Sequence, residues 1–220
     1  MDEVTNLLRN NLIEMGQRLL REGLVAGTGG NISLRLPSGD QVLITPSGMP
    51  YLTLQPADLV VLDLAGQVVA GERRPSIERE LHLRIYQQRP DVQAVVHTHS
   101  VYASAVAATR QSIPPILDVI VDAVGGEIPC AEYAPHGSSQ LAQNCWAALG
   151  SNNAVLLANH GVVAVGADLE QAYTVSQIVE NAAKVYLLSH LIGKPVMLAQ
   201  EVVDYEKAFM QTEYGQGTNK

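Results

Sequence analysis

The segment Ala94-Val95-Val96-His97-Thr98-His99-Ser100 constrains this chain more than any other. A short apolar, β-branched run suits a buried strand, and it leads straight into two histidines two residues apart. Side chains alternate along a strand with period two. Both imidazoles therefore leave on one face, where a buried run opens into a site. Two convergent neutral imidazoles are borderline-soft ligands suited to zinc and its divalent neighbours. His160 also ends an apolar run, Val155-Leu156-Leu157-Ala158, and is followed by a glycine. Taken alone it reads equally well as an ordinary turn histidine. Beside His97 and His99 it completes a tripod with positions left open for substrate.

Helical and strand patterns alternate over the 220 residues without a Pro/Ser/Gly-rich linker, which predicts one α/β domain spanning residues 1–220. Val4, Leu7, Leu8, Leu12, Met15 and Leu19 fall at helical spacing, with Gly23 as the stop. Hairpins are predicted for Ile32–Leu36 with Val42–Thr45, and for Leu59–Leu62 with Gln67–Ala70. A helix is expected after Pro75-Ser76, another from about Ser100 to Thr109, and a third from Ser138 to Leu149. Ala154–Ala158 and Val162–Val165 read as strands, and Leu169–Ile192 as a long helix. Ile116–Val124 fits helix or strand. From about Asp204 the chain is polar, and a mobile tail is expected there.

The net charge is −8 and no basic run occurs, which argues against binding to nucleic acid or an anionic membrane. No stretch of about 18 uncharged apolar residues is present, so no membrane span is expected. Met1-Asp2-Glu3 is acidic and opens a helix, unlike a signal peptide. Cys130 and Cys145 are the two cysteines and build no disulfide framework, which fits a cytoplasmic protein.

Glu78 lies near a helix start, where a carboxylate gains from the helix dipole. It is also placed to complete a His3Glu set, or to leave a metal and act as a base. His82, one turn on, shares its face and reads as a supporting or core residue. Three polar turns offer a phosphate backbone amides and hydroxyls: Thr28-Gly29-Gly30-Asn31, Ser47-Gly48, and Ser76 at a helix start. Each alone is ordinary punctuation, and no nucleotide P-loop pattern occurs.

Gly27-Thr28-Gly29-Gly30-Asn31-Ile32-Ser33, Ile44-Thr45-Pro46-Ser47-Gly48, Pro75-Ser76-Ile77-Glu78, Val96-His97-Thr98-His99 and Asn159-His160-Gly161 occur in a fixed order. In that order the chain resembles the class II sugar-phosphate aldolases, a family that includes fuculose-phosphate aldolases and ribulose-phosphate 4-epimerases. The resemblance implies a three-layer α/β/α fold with a central, largely antiparallel sheet. It implies a C4 homotetramer with metal sites near subunit interfaces. Carried over position by position, His97, His99 and His160 would bind zinc, or manganese or cobalt in its place. Glu78 would be a resting-state ligand and the acid/base of the aldolases; the epimerase has aspartate there. Asn31, Ser47, Gly48 and Ser76, with Thr28, would hold the substrate phosphate. Tyr214 aligns with a C-terminal tyrosine that reaches a neighbouring subunit's site.

The pattern also departs from the family. Ile77 replaces a second phosphate serine, and the aldolase tyrosine expected near Asp118 and Val119 is absent. Asp122 falls on the catalytic aspartate of the epimerase, although Asp118 and Asp122, one helical turn apart, also suit a solvated helix face. His136 occupies an aromatic position of the aldolase pocket. The activity implied is retro-aldol cleavage of a ketose 1-phosphate to dihydroxyacetone phosphate and an aldehyde. The rivals are 4-epimerisation, and decarboxylation or dehydration through a metal-held enolate. A non-catalytic scaffold resembling adducin heads is disfavoured by the three histidines.

Overall fold

The hairpins read from the sequence join one eight-stranded sheet in a computed structural model, which describes residues 3–212. The strands are β1 (Asn31–Arg35), β2 (Gln41–Ile44), β3 (Val60–Asp63), β4 (Val68–Ala70), β5 (Ala94–Thr98), β6 (Cys130–Ala131), β7 (Ala154–Leu157) and β8 (Gly161–Gly166). The helices are α1 (Glu3–Arg21), α2 (Arg79–Gln88), α3 (Val101–Ala108), α4 (Asp118–Val124), α5 (Ser139–Leu149), α6 (Leu169–Ile192) and α7 (Gln200–Thr212). The sheet order is β4-β3-β2-β1-β5-β8-β7-β6. Every pairing is antiparallel except β6 with β7.

Strand alternation divides the core into two helix layers. Val95, Val155, Val163 and Val165 face α2 and α5, where Leu81, Ile85, Leu141 and Leu149 cover them. On the opposite face, Ile32, Leu43 and Val96 meet Leu12 and Leu19 of α1. Leu156, Val162 and Ala164 meet Val106, Ile120 and Val179 of α3, α4 and α6. Each fully buried Val or Leu contributes about 1.5–3 kcal/mol relative to exposure, so the central strands are held from both sides. The result is the expected α/β/α sandwich with a mostly antiparallel sheet. Parity also puts Asn31, Ser33 and His97 on the face that α2 covers, because Ile32, Leu34 and Val96 point the other way.

Several boundaries differ from the sequence reading. α2 begins at Arg79, with Glu78 at its N-cap, because Pro75 and Ser76 first form a turn. The ambiguous stretch becomes α4 from Asp118, closed by Gly125 in the left-handed region. The two-residue β6 and the 3-10 turns Tyr51–Thr53 and Pro56–Asp58 are too short to carry a periodic signal. The polar segment from Asp204, expected as a tail, continues α7 as far as Thr212. α7 packs against α4 and buries Val203, an anchor that a polar average conceals. Tyr214 lies outside the described residues. Among those described, no helix is long and apolar enough to cross a membrane.

Candidate metal centre and substrate cavity

Three imidazoles converge where β5 ends and the β7–β8 hairpin turns. His97 is fully buried, opposite Asn31 on β1 and Val163 on β8. Its Nδ1–H donates to the Val162 carbonyl at 2.7 Å, which leaves the Nε2 lone pair facing the site. His99 Nε2 lies 2.9 Å from His97 Nε2. The ring centroids are 4.7 Å apart for His97 and His99, 4.8 Å for His97 and His160, and 5.0 Å for His99 and His160. One ligand atom from each histidine lies within 4.8 Å of the others.

The local backbone explains the convergence. Asn159 adopts φ 55°, which asparagine tolerates at a tight turn, and so aims His160 back toward β5. Its carboxamide accepts from Arg110 Nε at 3.0 Å and donates to the Ala108 carbonyl at 3.4 Å. Gly30 has φ 71°, and a Cβ there would sit 2.5 Å from the His97 carbonyl oxygen. At Gly161 a Cβ would collide with the Thr98 carbonyl. Side-chain-free backbone is needed at both positions for the histidine strands to close on each other.

Glu78 completes the cluster from the α2 side. Its backbone, φ −95° and ψ 17°, lies in the bridge region, and its N–H donates to Ser76 Oγ at 3.2 Å. Oε2 accepts from Asn31 Nδ2 at 2.8 Å and lies 3.3 Å from His97 Nε2. Oε1 lies 3.5 Å from His160 Nε2 and is buried without a hydrogen-bond partner. Burial alone would push the carboxyl up. His97, the Asn31 amide, His160 and His82 outweigh it, so Glu78 sits below its ordinary value. Burial holds His97, His99 and His160 below the usual imidazole value, as neutral ligands require. Three neutral imidazoles around an orphaned, ionised carboxylate oxygen fit a divalent cation.

Behind Glu78 runs a buried polar chain that the sequence did not announce. Asn31 Oδ1 lies 2.5 Å from His82 Nε2. His82 Nδ1 lies 2.6 Å from Ser33 Oγ, which lies 2.9 Å from the Tyr86 hydroxyl. Burial pushes His82 down to about 4. A signal was present in hindsight: Glu78, His82 and Tyr86 are spaced by four, while Asn31 and Ser33 are spaced by two.

A cavity of about 480 Å³ opens over Glu78, His99 and His160. Thr28, Asn31, Ser47, Gly48 and Ser76 line it, with Ile77, Tyr133 and His136 also at its wall. The five residues expected to hold phosphate are thus brought together from three loops. Ser76 Oγ accepts from the Glu78 N–H, and Asn31 is committed on its oxygen and one N–H. Ser47 and Ile77 also line an adjoining cavity that presents Arg74 and Arg79, two cations the sequence reading passed over. Among the described residues, neither forms an ion pair. A groove of about 550 Å³ near the far end of β1, around Arg18, Arg35 and Asp168, has no convergent ligand set. Asp122 sits on α4 and does not line the histidine cavity of its own chain. Burial and Asp118 raise its carboxyl above the ordinary value.

Residues 10–187 match the model of the class II aldolase and adducin N-terminal domain family. The chain is 40% identical over 191 residues to an L-fuculose phosphate aldolase of Escherichia coli (strain K12), covering 87% of each chain. It is 38% identical over 196 residues to a 5-deoxy-D-ribulose 1-phosphate aldolase of Bacillus thuringiensis, covering 89% of this chain and 92% of that one. A solved L-fuculose 1-phosphate aldolase superposes with a TM-score of 0.90 at 37% identity, covering 92% of this chain and 95% of that one.

Proposed function

The chain belongs to the class II aldolase and adducin N-terminal domain family, and we propose that it is a metal-dependent lyase that cleaves a ketose 1-phosphate into dihydroxyacetone phosphate and an aldehyde. The observation that carries this is Glu78 Oε1, buried and unpartnered beside three neutral imidazoles at the floor of a cavity lined with anion-binding groups. The Bacillus thuringiensis relative and the solved aldolase are named for ketose 1-phosphates, which supports this substrate class.

His97, His99 and His160 would hold the cation, for which zinc is the first choice and manganese or cobalt the alternatives. Bound there, it supplies Lewis-acid stabilisation of the charge that develops on the ketose oxygens. Thr28, Ser47, Gly48 and Ser76, with the remaining Asn31 N–H, hold the phosphate and set the sugar over Glu78. Cleavage breaks the C3–C4 bond: the C4 hydroxyl would give its proton to the Glu78 carboxylate as the aldehyde forms and the bonding pair passes to C3, and Glu78 would return that proton to C3.

A C4 homotetramer belongs to the same reading, in which Tyr214 would reach a neighbouring chain's site. Leu191 and Ile192 at the end of α6 and Val196 and Met197 beyond it are 64–91% exposed, an apolar surface that supports association with a partner chain. The free thiols of Cys130 and Cys145 support a reducing, cytoplasmic location.

The test is product analysis on a panel of ketose 1-phosphates. A reductase coupled to dihydroxyacetone phosphate reads cleavage, and mass spectrometry identifies the aldehyde. Interconversion of a pentulose 5-phosphate with its C4 epimer, without free fragments, would replace the aldolase by the epimerase.

A further inference from the structure

Elementary hydrogen-bond chemistry gives the chain behind Glu78 a single direction. An ionised carboxylate only accepts, so the Asn31 atom facing Oε2 at 2.8 Å is the donating Nδ2–H. Asn31 Oδ1 must then accept, so His82 Nε2 carries a proton. His82 is fully buried and neutral, so its Nδ1 has none and accepts from the Ser33 hydroxyl. Ser33 Oγ in turn accepts from Tyr86. Every donor from Tyr86 to Asn31 is therefore oriented toward Oε2, whereas Oε1 of the same carboxylate has no hydrogen-bond partner and faces His160 Nε2 at 3.5 Å.

We propose that His82 is a positioning residue that, through Asn31, makes the two oxygens of Glu78 unequal, anchoring Oε2 and leaving Oε1 as the oxygen that carries the proton. The proposal rests on the aldolase reading, in which Glu78 moves a proton. Fixing one oxygen removes the carboxylate's rotation from the reaction coordinate, the preorganisation a proton carrier needs. His82 does not touch the cavity, so its loss alters the aim of Glu78 without removing a substrate contact. Each link of the chain pairs one donor with one acceptor, so a flipped Asn31 amide or the other His82 tautomer would leave like groups facing each other.

The proposal is tested with His82→Leu and His82→Gln in the full-length, metal-loaded protein. Leucine offers no donor to Asn31, whereas the glutamine Nε2–H reaches the place of the imidazole Nε2–H. His82→Leu should lower kcat by about 10- to 100-fold, the usual cost of losing a partner behind a ligand. KM and metal content should stay near wild type, and His82→Gln should recover most of the lost kcat. Nitrogen-15 NMR of the wild-type protein should find His82 as the Nε2–H tautomer. Wild-type kcat in His82→Leu, equal losses in both variants with metal retained, or an Nδ1–H tautomer would each overturn the proposal. If His82→Leu does not fold, Ser33→Ala, which frees Nδ1, should lower kcat at unchanged KM, and unchanged kcat overturns it. Failure of the aldolase reading looks different: no ketose phosphate is cleaved, or Glu78→Gln keeps its kcat, whatever the His82 tautomer.

Discussion

Asn31 stands directly opposite His97 on the β1–β5 pairing, and its carboxamide reaches across to Glu78 Oε2 at 2.8 Å. One rung of the sheet thus ties an imidazole of the cluster to the carboxylate above it. The link works because two periodicities nearly match: four residues of helix rise about 6 Å and two residues of strand about 6.6 Å. Glu78, His82 and Tyr86 therefore interleave with Asn31 and Ser33 at hydrogen-bonding distance along the whole contact.

The imidazole cluster should hold about one divalent ion per chain, measured by elemental analysis of the purified protein. His99→Ala should lose it. Because the ion binds only the folded site, its removal should lower Tm, by about 4 kcal/mol of stability for an ion present at a thousand times its Kd. Full activity in excess chelator with no detectable metal would refute the assignment.

Glu78→Gln keeps the size of the side chain and its contact with Asn31 but removes its basicity. It should lower kcat by about 10²-fold or more, the scale of general acid–base catalysis, with metal content retained. Asp122→Asn should be mild for cleavage. A severe loss with Asp122→Asn, together with epimerisation of a pentulose 5-phosphate, would point to the epimerase.

Ser47→Asp places a negative charge where Ser47, Gly48 and Ser76 surround the cavity. It should raise KM for a ketose 1-phosphate by about tenfold or more, equivalent to about 1.4 kcal/mol of binding, with a smaller change in kcat. The parent enzyme should also strongly prefer phosphorylated over unphosphorylated ketoses. Equal turnover of both would remove the phosphate cradle from the account.

Stability should fall on the acid side in a way that depends on His82. Burial holds it near 4 in the folded protein, against 6.5 for an ordinary histidine, so between those values the unfolded chain binds more protons. Stability from this group is complete above about pH 6.5 and is lost as pH falls toward 4, by about 3 kcal/mol in all. Glu78, lowered as a carboxylate, loses stability in the same direction at lower pH. Urea midpoints of the metal-free protein at pH 7 and pH 4.5 test this. The drop should be larger in wild type than in His82→Gln, and equal drops would show that His82 is not a buried neutral histidine.

By itself the sequence determined the parts of the site that are local. The apolar runs ending in His97 and His160, the hairpin turns, the glycine-bearing loops and the helix after Ser76 follow from period, β-branching and turn chemistry within about ten residues. The ordered motifs around them carried the family resemblance and, with it, the α/β/α layering. Only the tertiary structure decided how those parts are used. Asn31, whose loop suggests a phosphate contact, also donates to Glu78, and His82 takes its supporting place behind Asn31, through contacts 47 and 51 residues apart in sequence. The spacing of Ser33 from Asn31 and of Tyr86 from His82 places each pair on one face but does not say that the two faces meet. The helix from Gln200 to Thr212 was likewise hidden by its polar average and formed against α4. The reason is the same in each case. Periodicity says which face a side chain takes, but the rung it meets on the opposing element is set by how layers far apart in sequence slide into register as they pack.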